Sequence, residues 1–170
     1  MRTHLTILLT LLTISTWACD CKIKSLKENQ DLSYNYAQLI FIGDVVEIDT
    51  TTGNYKIEIV EILKGKSKAK IVKGTAMTSC SGFPGLGRWI IYAESFDGDT
   101  IEFSSCGMSR SFSDPQYVMI SDYTYPLPPK DLSEMKSTDI HLDLLTKILT
   151  IKEKALSDLK TEIIDLRKRK

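Results

Sequence analysis

The stretch LIFIGDVVEIDTTTGNYKIEIVEILKG, Leu39 to Gly65, decides how this chain is read. Its first part, Leu39 to Ile48, is dense in β-branched and aromatic residues, which suit a pleated strand. Gly43 interrupts the run, and a glycine inside a strand marks a bulge or a strong coil. TTTGN, Thr50 to Asn54, has turn composition, so the stretch reads as a hairpin. The second strand, Tyr55 to Leu63, alternates as Tyr55, Ile57 and Ile59, then changes phase to Val60 and Ile62. One extra, bulged residue shifts the side-chain phase in that way. Working outward, KGK (Lys64 to Lys66) turns the chain and AKIVKG (Ala69 to Gly74) forms a third strand. RWIIYAES (Arg88 to Ser95) and TIEFSS (Thr100 to Ser105) follow, joined by the turn FDGD, Phe96 to Asp99. Five short strands with bulges predict a mainly β fold, a small closed or partly open barrel.

The flanks carry other signals. Residues 1–18 read as a signal peptide: Arg2 and His4 precede an apolar run from Leu5 to Ile14, and Thr16-Trp17-Ala18 leads to a cut before Cys19. No stretch is long and apolar enough to span a bilayer. The chain is therefore expected to be exported, to a periplasm or cell surface if bacterial, and to form no integral membrane span. Lysine and arginine number 22, as do aspartate and glutamate, which offers no field for nucleic acid. The exception is RKRK, Arg167 to Lys170.

After residue 113 the composition changes. Residues 114–130 contain four prolines and predict a linker or strap, with Tyr117, Tyr123 and Tyr125 as its anchors. Residues 131–170 predict a C-terminal helix, capped by Asp139 and running to about Arg167. Leu142, Leu145, Leu149, Leu156, Leu159, Ile163 and Leu166 fall on a heptad seam interrupted by Lys152. Ile140, Leu144, Ile148 and Ile151 widen the apolar face of the first half. That half is expected to pack on the barrel while the second projects. The competing reading is a helical contact through residues 140–166 with a partner or a second copy.

Four cysteines, at positions 19, 21, 80 and 106, predict two disulfides in an exported chain. A zinc site is the weaker reading, since the spacing lacks close C-x-x-C pairs. A Cys19–Cys21 link is disfavoured, so each of these cysteines is expected to reach one of Cys80 and Cys106, in either order. Each bridge would close a loop of roughly 60 residues or more, constraining the unfolded chain by about 4 kcal/mol. Lipidation of Cys19 is disfavoured, because Thr16 and Trp17 suit it poorly and an odd cysteine would remain.

The order of these features resembles the N-terminal domain of the tissue inhibitors of metalloproteinases, within the netrin-like group of OB-fold barrels. The likeness runs from Cys19 to about Phe112. It rests on Cys19-Asp20-Cys21 at the mature start, IFIGDVV, YKIEIVEILKG, Cys80 in MTSCSG, the strand RWIIYA, and FDGDTIEFSSC ending at Cys106. The resemblance implies a five-stranded OB-fold barrel over residues 19–113 and the pairings Cys19–Cys80 and Cys21–Cys106. It also implies an inhibitory ridge of Cys19, Asp20, Cys21 and Lys22 with Met77, Thr78, Ser79 and Cys80. In that family the mature N-terminal residue is the warhead. The α-amine and carbonyl of Cys19 would chelate the catalytic zinc of a target protease, with residue 20 entering its specificity pocket. Asp20 departs from the small hydroxyl residue usual there, and a carboxylate is unfavourable in an apolar pocket unless paired. The family's third disulfide and its cysteine-rich C-terminal domain have no counterpart, as in reduced, bacterial-type members.

Other chemistry finds no cast. GFPGLG, Gly82 to Gly87, lacks the lysine and hydroxyl residue of a phosphate loop and reads as a hairpin loop. Trp89 and Tyr92 read as core or barrel surface. His141 is the sole histidine after residue 18, without HExxH or a paired nucleophile, so no enzyme and no cofactor are expected. The expected function is protein contact: metalloprotease inhibition or, alternatively, a non-inhibitory interaction module of the cell envelope.

Overall fold

The computed structural model describes residues 19–116, 120–123 and 137–170. The expected signal peptide, Tyr117, Tyr125 and most of the proline-rich strap lie outside the described residues. The rest is mainly β, a seven-stranded curled sheet forming a half-barrel with a long C-terminal helix. The elements are α1 (Leu26–Tyr36), β1 (Leu39–Asp49), β2 (Asn54–Lys64), β3 (Ile71–Thr75), β4 (Gly87–Ala93), β5 (Ser95–Asp97), β6 (Thr100–Glu102), β7 (Arg110–Ser111), a 3-10 turn (Ser121–Tyr123) and α2 (Ser137–Lys168).

Seven strands stand where five are expected, and the reasons are local. The expected fourth strand breaks at Glu94 into β4 and β5, although the Glu94 amide still donates to the Glu102 carbonyl at 2.9 Å. The short β7 adds to the edge of β4, pairing Ile90 with Arg110. Strand order is β5-β6-β3-β2-β1-β4-β7, antiparallel except for the β3–β6 contact. Because β4 and β5 are consecutive in the chain, the sheet must curl to bring its two sides together.

The expected bulge is present. Gly43 pairs with Ile59 and Ile42 with Glu61, so Val60 is the residue without an opposite. It lies half-exposed outside the ladder, and Ile62 returns to the inner side against Phe41. Gly43 is needed here for space: a Cβ would sit 2.6 Å from Ile57 Cγ2 and 2.8 Å from the Glu58 carbonyl oxygen. The central strand β1 is buried on both faces over Leu39–Gly43. Leu39, Phe41 and Val45 join Tyr55, Ile57, Val72, Ile91, Ile101 and Phe103 in the inner core. Ile40 and Ile42 turn the other way and pack with Ile90, Tyr92, Met108, Ile120 and Tyr123 beneath α2.

The helix docks in the opposite sense to expectation. Ala155, Leu159, Ile163 and Leu166, all in its second half, are buried in the outer core, whereas Leu142, Leu145 and Leu149 are exposed. Glu162 explains the choice. Its carboxylate is buried and accepts from Arg110 Nη1 (3.2 Å) and Nη2 (2.7 Å), Tyr92 Oη (2.6 Å) and Gln30 Nε2 (2.6 Å). Four donors satisfy a carboxylate that could not otherwise leave water. Burial, then the adjacent Glu162, pushes the Tyr92 phenol far above its ordinary range. The basic C-terminus also turns inward: Arg167 holds Glu61 with two bonds (2.9 and 2.6 Å), and Lys170 Nζ donates to the Ile62 carbonyl at 3.0 Å. The helix begins at Ser137, two residues before the expected Asp139 cap.

Helix α1 was not expected. Its composition is polar and its apolar periodicity weak, yet Ser25-Leu26-Lys27-Glu28 carries the Ser-x-x-Glu start signal. The Ser25 hydroxyl accepts from the Glu28 amide at 3.3 Å. At the far end the Lys64 ammonium covers the Tyr34 and Ala37 carbonyls, a favourable place for a cation. Among the described residues no helix is long and apolar enough to cross a membrane.

Replacing Glu162 by alanine leaves Arg110 charged and unpaired in the outer core, and is expected to destabilise the fold by about 3–5 kcal/mol. Urea unfolding of Glu162→Ala beside the parent protein measures this. An exposed control, Glu153→Ala, should change stability by less than about 0.5 kcal/mol.

Candidate functional site

Two loops meet at one end of the half-barrel, one following β3 (residues 76–82) and one following β6 (residues 103–107). The turn after β3 is closed by its own hydroxyls. Thr78 accepts the Ser81 amide at its carbonyl (3.1 Å) and the Cys80 amide at its Oγ1 (3.3 Å), while the Thr78 amide donates to Ser81 Oγ (3.3 Å). The loops are then laced together. The Gly82 amide donates to the Phe103 carbonyl at 2.7 Å and the Ser105 amide to the Cys80 carbonyl at 2.8 Å. Ser105 Oγ donates to the Ser79 and Cys80 carbonyls at 3.2 and 3.1 Å. Gly82 is required by this closeness, because a Cβ there would lie 2.0 Å from the Phe103 ring.

Both loops hold the extended segment that starts at Cys19. Cys19 is bonded to Cys80 and Cys21 to Cys106. This is the pairing that the resemblance implies, and no cysteine among the described residues is free. The sulfurs of Cys19, Cys21 and Cys106 lie within 4.8 Å of one another, and Cys19 Sγ is 3.5 Å from Cys106 Sγ. As bridged sulfurs they are not thiolates, so they do not form the metal-ligand set that the positions might suggest. The bridges indicate an oxidising compartment. Downstream, Lys24 pairs in parallel with Ile120, and its carbonyl accepts the Ser121 amide at 2.9 Å. The segment is thus fixed at both ends.

Each ridge residue named from sequence has a place here. Cys19 and Cys21 are half-buried at the bridges, and Asp20, between them, is exposed, as is Lys22. Met77, Thr78, Ser79 and Cys80 are exposed on the first loop, Met77 by 84%. The Cys19–Cys80 bond joins the two groups into one edge. Trp89 is half-buried and Tyr92 buried, as expected of sheet residues. Gly82 to Gly87 leads from this edge into β4, with Phe83 edge-on to Tyr55 at 6.2 Å between ring centroids.

Behind the ridge lies a cleft of about 440 Å³ that the sequence reading missed. It is lined by Met77, Thr78, Cys80 and Ser81 from the first loop and by Tyr55, Thr75, Phe103 and the exposed residues Glu94 and Glu102. Desolvation pushes the Glu94 carboxyl above its ordinary range. Glu94 sits at the break between β4 and β5, the one charge in the run from Trp89 to Phe96. That interruption was the available signal.

No protein-family model matches this chain, and a search of characterised proteins finds no similar sequence.

Removing one bridge tests what holds the edge. Cys19→Ser/Cys80→Ser, with Cys21–Cys106 intact, is expected to lower stability by about 2–5 kcal/mol. Amide hydrogen exchange in residues 77–81 should accelerate while exchange in β1 follows only the global change. Unchanged exchange in the loop would show that its hydrogen bonds alone order it.

Proposed function

We propose that this protein is an exported, netrin-like barrel of OB type that inhibits a zinc metalloprotease by inserting the edge formed by residues 19–22 and 77–80. The observation that carries the reading is the Cys19–Cys80 bond, which fastens residue 19 beside the exposed Met77-Thr78-Ser79 loop. Strand pairing supports the OB-type reading: β1, β2 and β3 form an antiparallel meander, β3 meets β6 in parallel, and β4–β5 spans from β1 to β6.

On this reading the signal peptide is removed before Cys19 and frees its α-amine. That amine and the Cys19 carbonyl close a five-membered chelate on the open coordination position of the target's zinc. The thiol takes no part in ligation, being bonded to Cys80; its role is to remove the ordering cost of a loose terminus. Only the neutral amine ligates, and an unperturbed α-amine titrates near about 7.7–8. Inhibition therefore strengthens as pH rises through that range. Asp20 would enter the primary specificity pocket, which selects a protease with a basic rather than an apolar pocket.

The test compares protein beginning at Cys19 with a form carrying one additional alanine before it, after intact-mass measurement establishes the terminus and both disulfides. The Cys19 form should block at least one zinc protease in a broad panel, and the extended form should lose that inhibition by a hundredfold or more, on the order of 3 kcal/mol. Inhibition that survives the alanine would sink the chelation reading.

The exposed leucines of α2 favour a second reading, in which the protein is a non-inhibitory interaction module. Leu142, Leu145, Leu149 and Leu156 are each 43–68% exposed along the seam whose continuation is buried at Leu159, Ile163 and Leu166. If that face associates, Leu145→Glu/Leu149→Glu should abolish the complex in sedimentation velocity and leave the helical circular dichroism of the docked half in place.

A further inference from the structure

The cleft behind the ridge has a chemistry of its own. Its lining carries two carboxylates, Glu94 and Glu102, and hydroxyls from Thr75, Thr78, Ser81 and Ser104, and none of the described lining residues is basic. Neither carboxylate forms an ion pair with a described residue, in contrast to Asp44, Glu61 and Asp99, each held by an arginine or lysine. Glu94 leans over the second loop, since a Cβ built on Gly107 would lie 3.7 Å from its Oε1. Acidic groups alone would mean little, but Tyr55 adds an independent observation. It is only 2% exposed, its ring and hydroxyl lie over Gly74, and it lines both this cleft and a neighbouring cavity whose Lys56 and Lys73 are already paired with Glu47 and Asp99. Its hydroxyl forms no hydrogen bond to a described residue, unlike the equally buried Tyr92, whose hydroxyl is held by Glu162. Burial and the nearby Glu102 push the Tyr55 phenol far above its ordinary range, so it stays protonated with its oxygen lone pairs available.

We infer that this cleft is a subsite for a basic side chain, an arginine or lysine presented by the protein that the ridge contacts. The Tyr55 and Phe103 rings and the Met77 thioether give an alkyl stem or a planar guanidinium an apolar wall. Glu94 and Glu102 supply the opposing charge, and the Tyr55 oxygen accepts one donor. Arginine fits best, because its planar fork reaches several acceptors at once. A divalent cation fits less well, since much of the lining is carbon rather than oxygen. The inference extends the ridge reading by naming what the partner must bring, but it requires neither a free α-amine nor a zinc.

Titrating the intact disulfide-bonded protein with N-acetyl-L-arginine amide, followed by amide chemical shifts, tests it. Saturable shifts are expected at Gly82, Glu94 and Glu102, with none for the neutral isostere N-acetyl-L-citrulline amide. Glu94→Gln/Glu102→Gln should weaken the arginine response about tenfold or more. Equal response to citrulline, or shifts with calcium chloride and none with arginine, would overturn the assignment. Arginine binding together with failure of the protease panel would leave the cleft standing and remove the inhibitor reading.

Discussion

A carboxylate withdrawn from water has to be met by donors, and Glu162 is met by four. That requirement connects three parts of the chain that are far apart in sequence: Gln30 on α1, Tyr92 and Arg110 on adjacent strands, and Glu162 on α2. Apolar burial alone would let α2 slide along the sheet, because leucines recur along its whole length. The buried ion pair selects one register, placing Ala155, Leu159, Ile163 and Leu166 over Ile40, Ile42 and Ile90. A buried pair is weak evidence for net stability, and in some proteins its role is to choose one arrangement over its neighbours. Here the choice has a visible consequence, because the first half of the helix is carried past the sheet.

With the outer face of β1 covered in this way, the inner face can close around Phe41, Ile57 and Ile101, and the loops beyond β3 and β6 converge at one end. Apart from Phe103, those loops bury little apolar surface of their own. What holds them is covalent and hydrogen-bonded: two disulfides, the Ser105 bonds to Ser79 and Cys80, and the contact of Gly82 with the Phe103 ring. Such an edge is cross-linked without being buried, which on the proposed reading leaves little conformational freedom to be lost on binding.

Much of this was legible in the residues. The extra residue at Val60 and the long C-terminal helix follow from side-chain period, and the hairpin from the β-branched composition of Leu39 to Ile48 and the turn residues after it, because β1 is buried on both faces and carries no period there. The strand count was not, because Glu94 breaks an apolar run without a turn residue and β7 is too short for any period. Helix α1 escaped for another reason: only Leu26 and Tyr34 pack on the outer core, and polar contacts, Gln30 to Glu162 and Lys64 to its last carbonyls, do the rest, which leaves too short an apolar stripe to read. The direction of helix docking was misread because leucine spacing is nearly uniform along α2, whereas the deciding residue, Glu162, looks like any solvated glutamate until Arg110 is placed opposite it. The ridge residues were named only through the family resemblance, which the cysteine positions help to carry. The cleft was not, since Tyr55 lies on β2, Glu94 at the break between β4 and β5, and Glu102 on β6, and only topology brings them together.

Charge gives the proposed edge a consistent sign. Asp20 projects between the two bridges, and Glu94 and Glu102 lie in the cleft behind the same loop, with Lys22 the nearby exception. Considered alone, Asp20 is an awkward residue for an inhibitor that fills an apolar pocket, because a carboxylate gives up its hydration on entry. Considered with the cleft, it becomes one of three carboxylates that a basic surface would meet. Under the two proposals above, both features favour the same kind of partner. A surface bearing arginine or lysine would be drawn toward this edge in solution and aligned by it, since complementary charge chiefly sets approach and register. A partner with an acidic or purely apolar rim would have to desolvate three carboxylates without compensation, so the edge discriminates as strongly by what it repels as by what it holds.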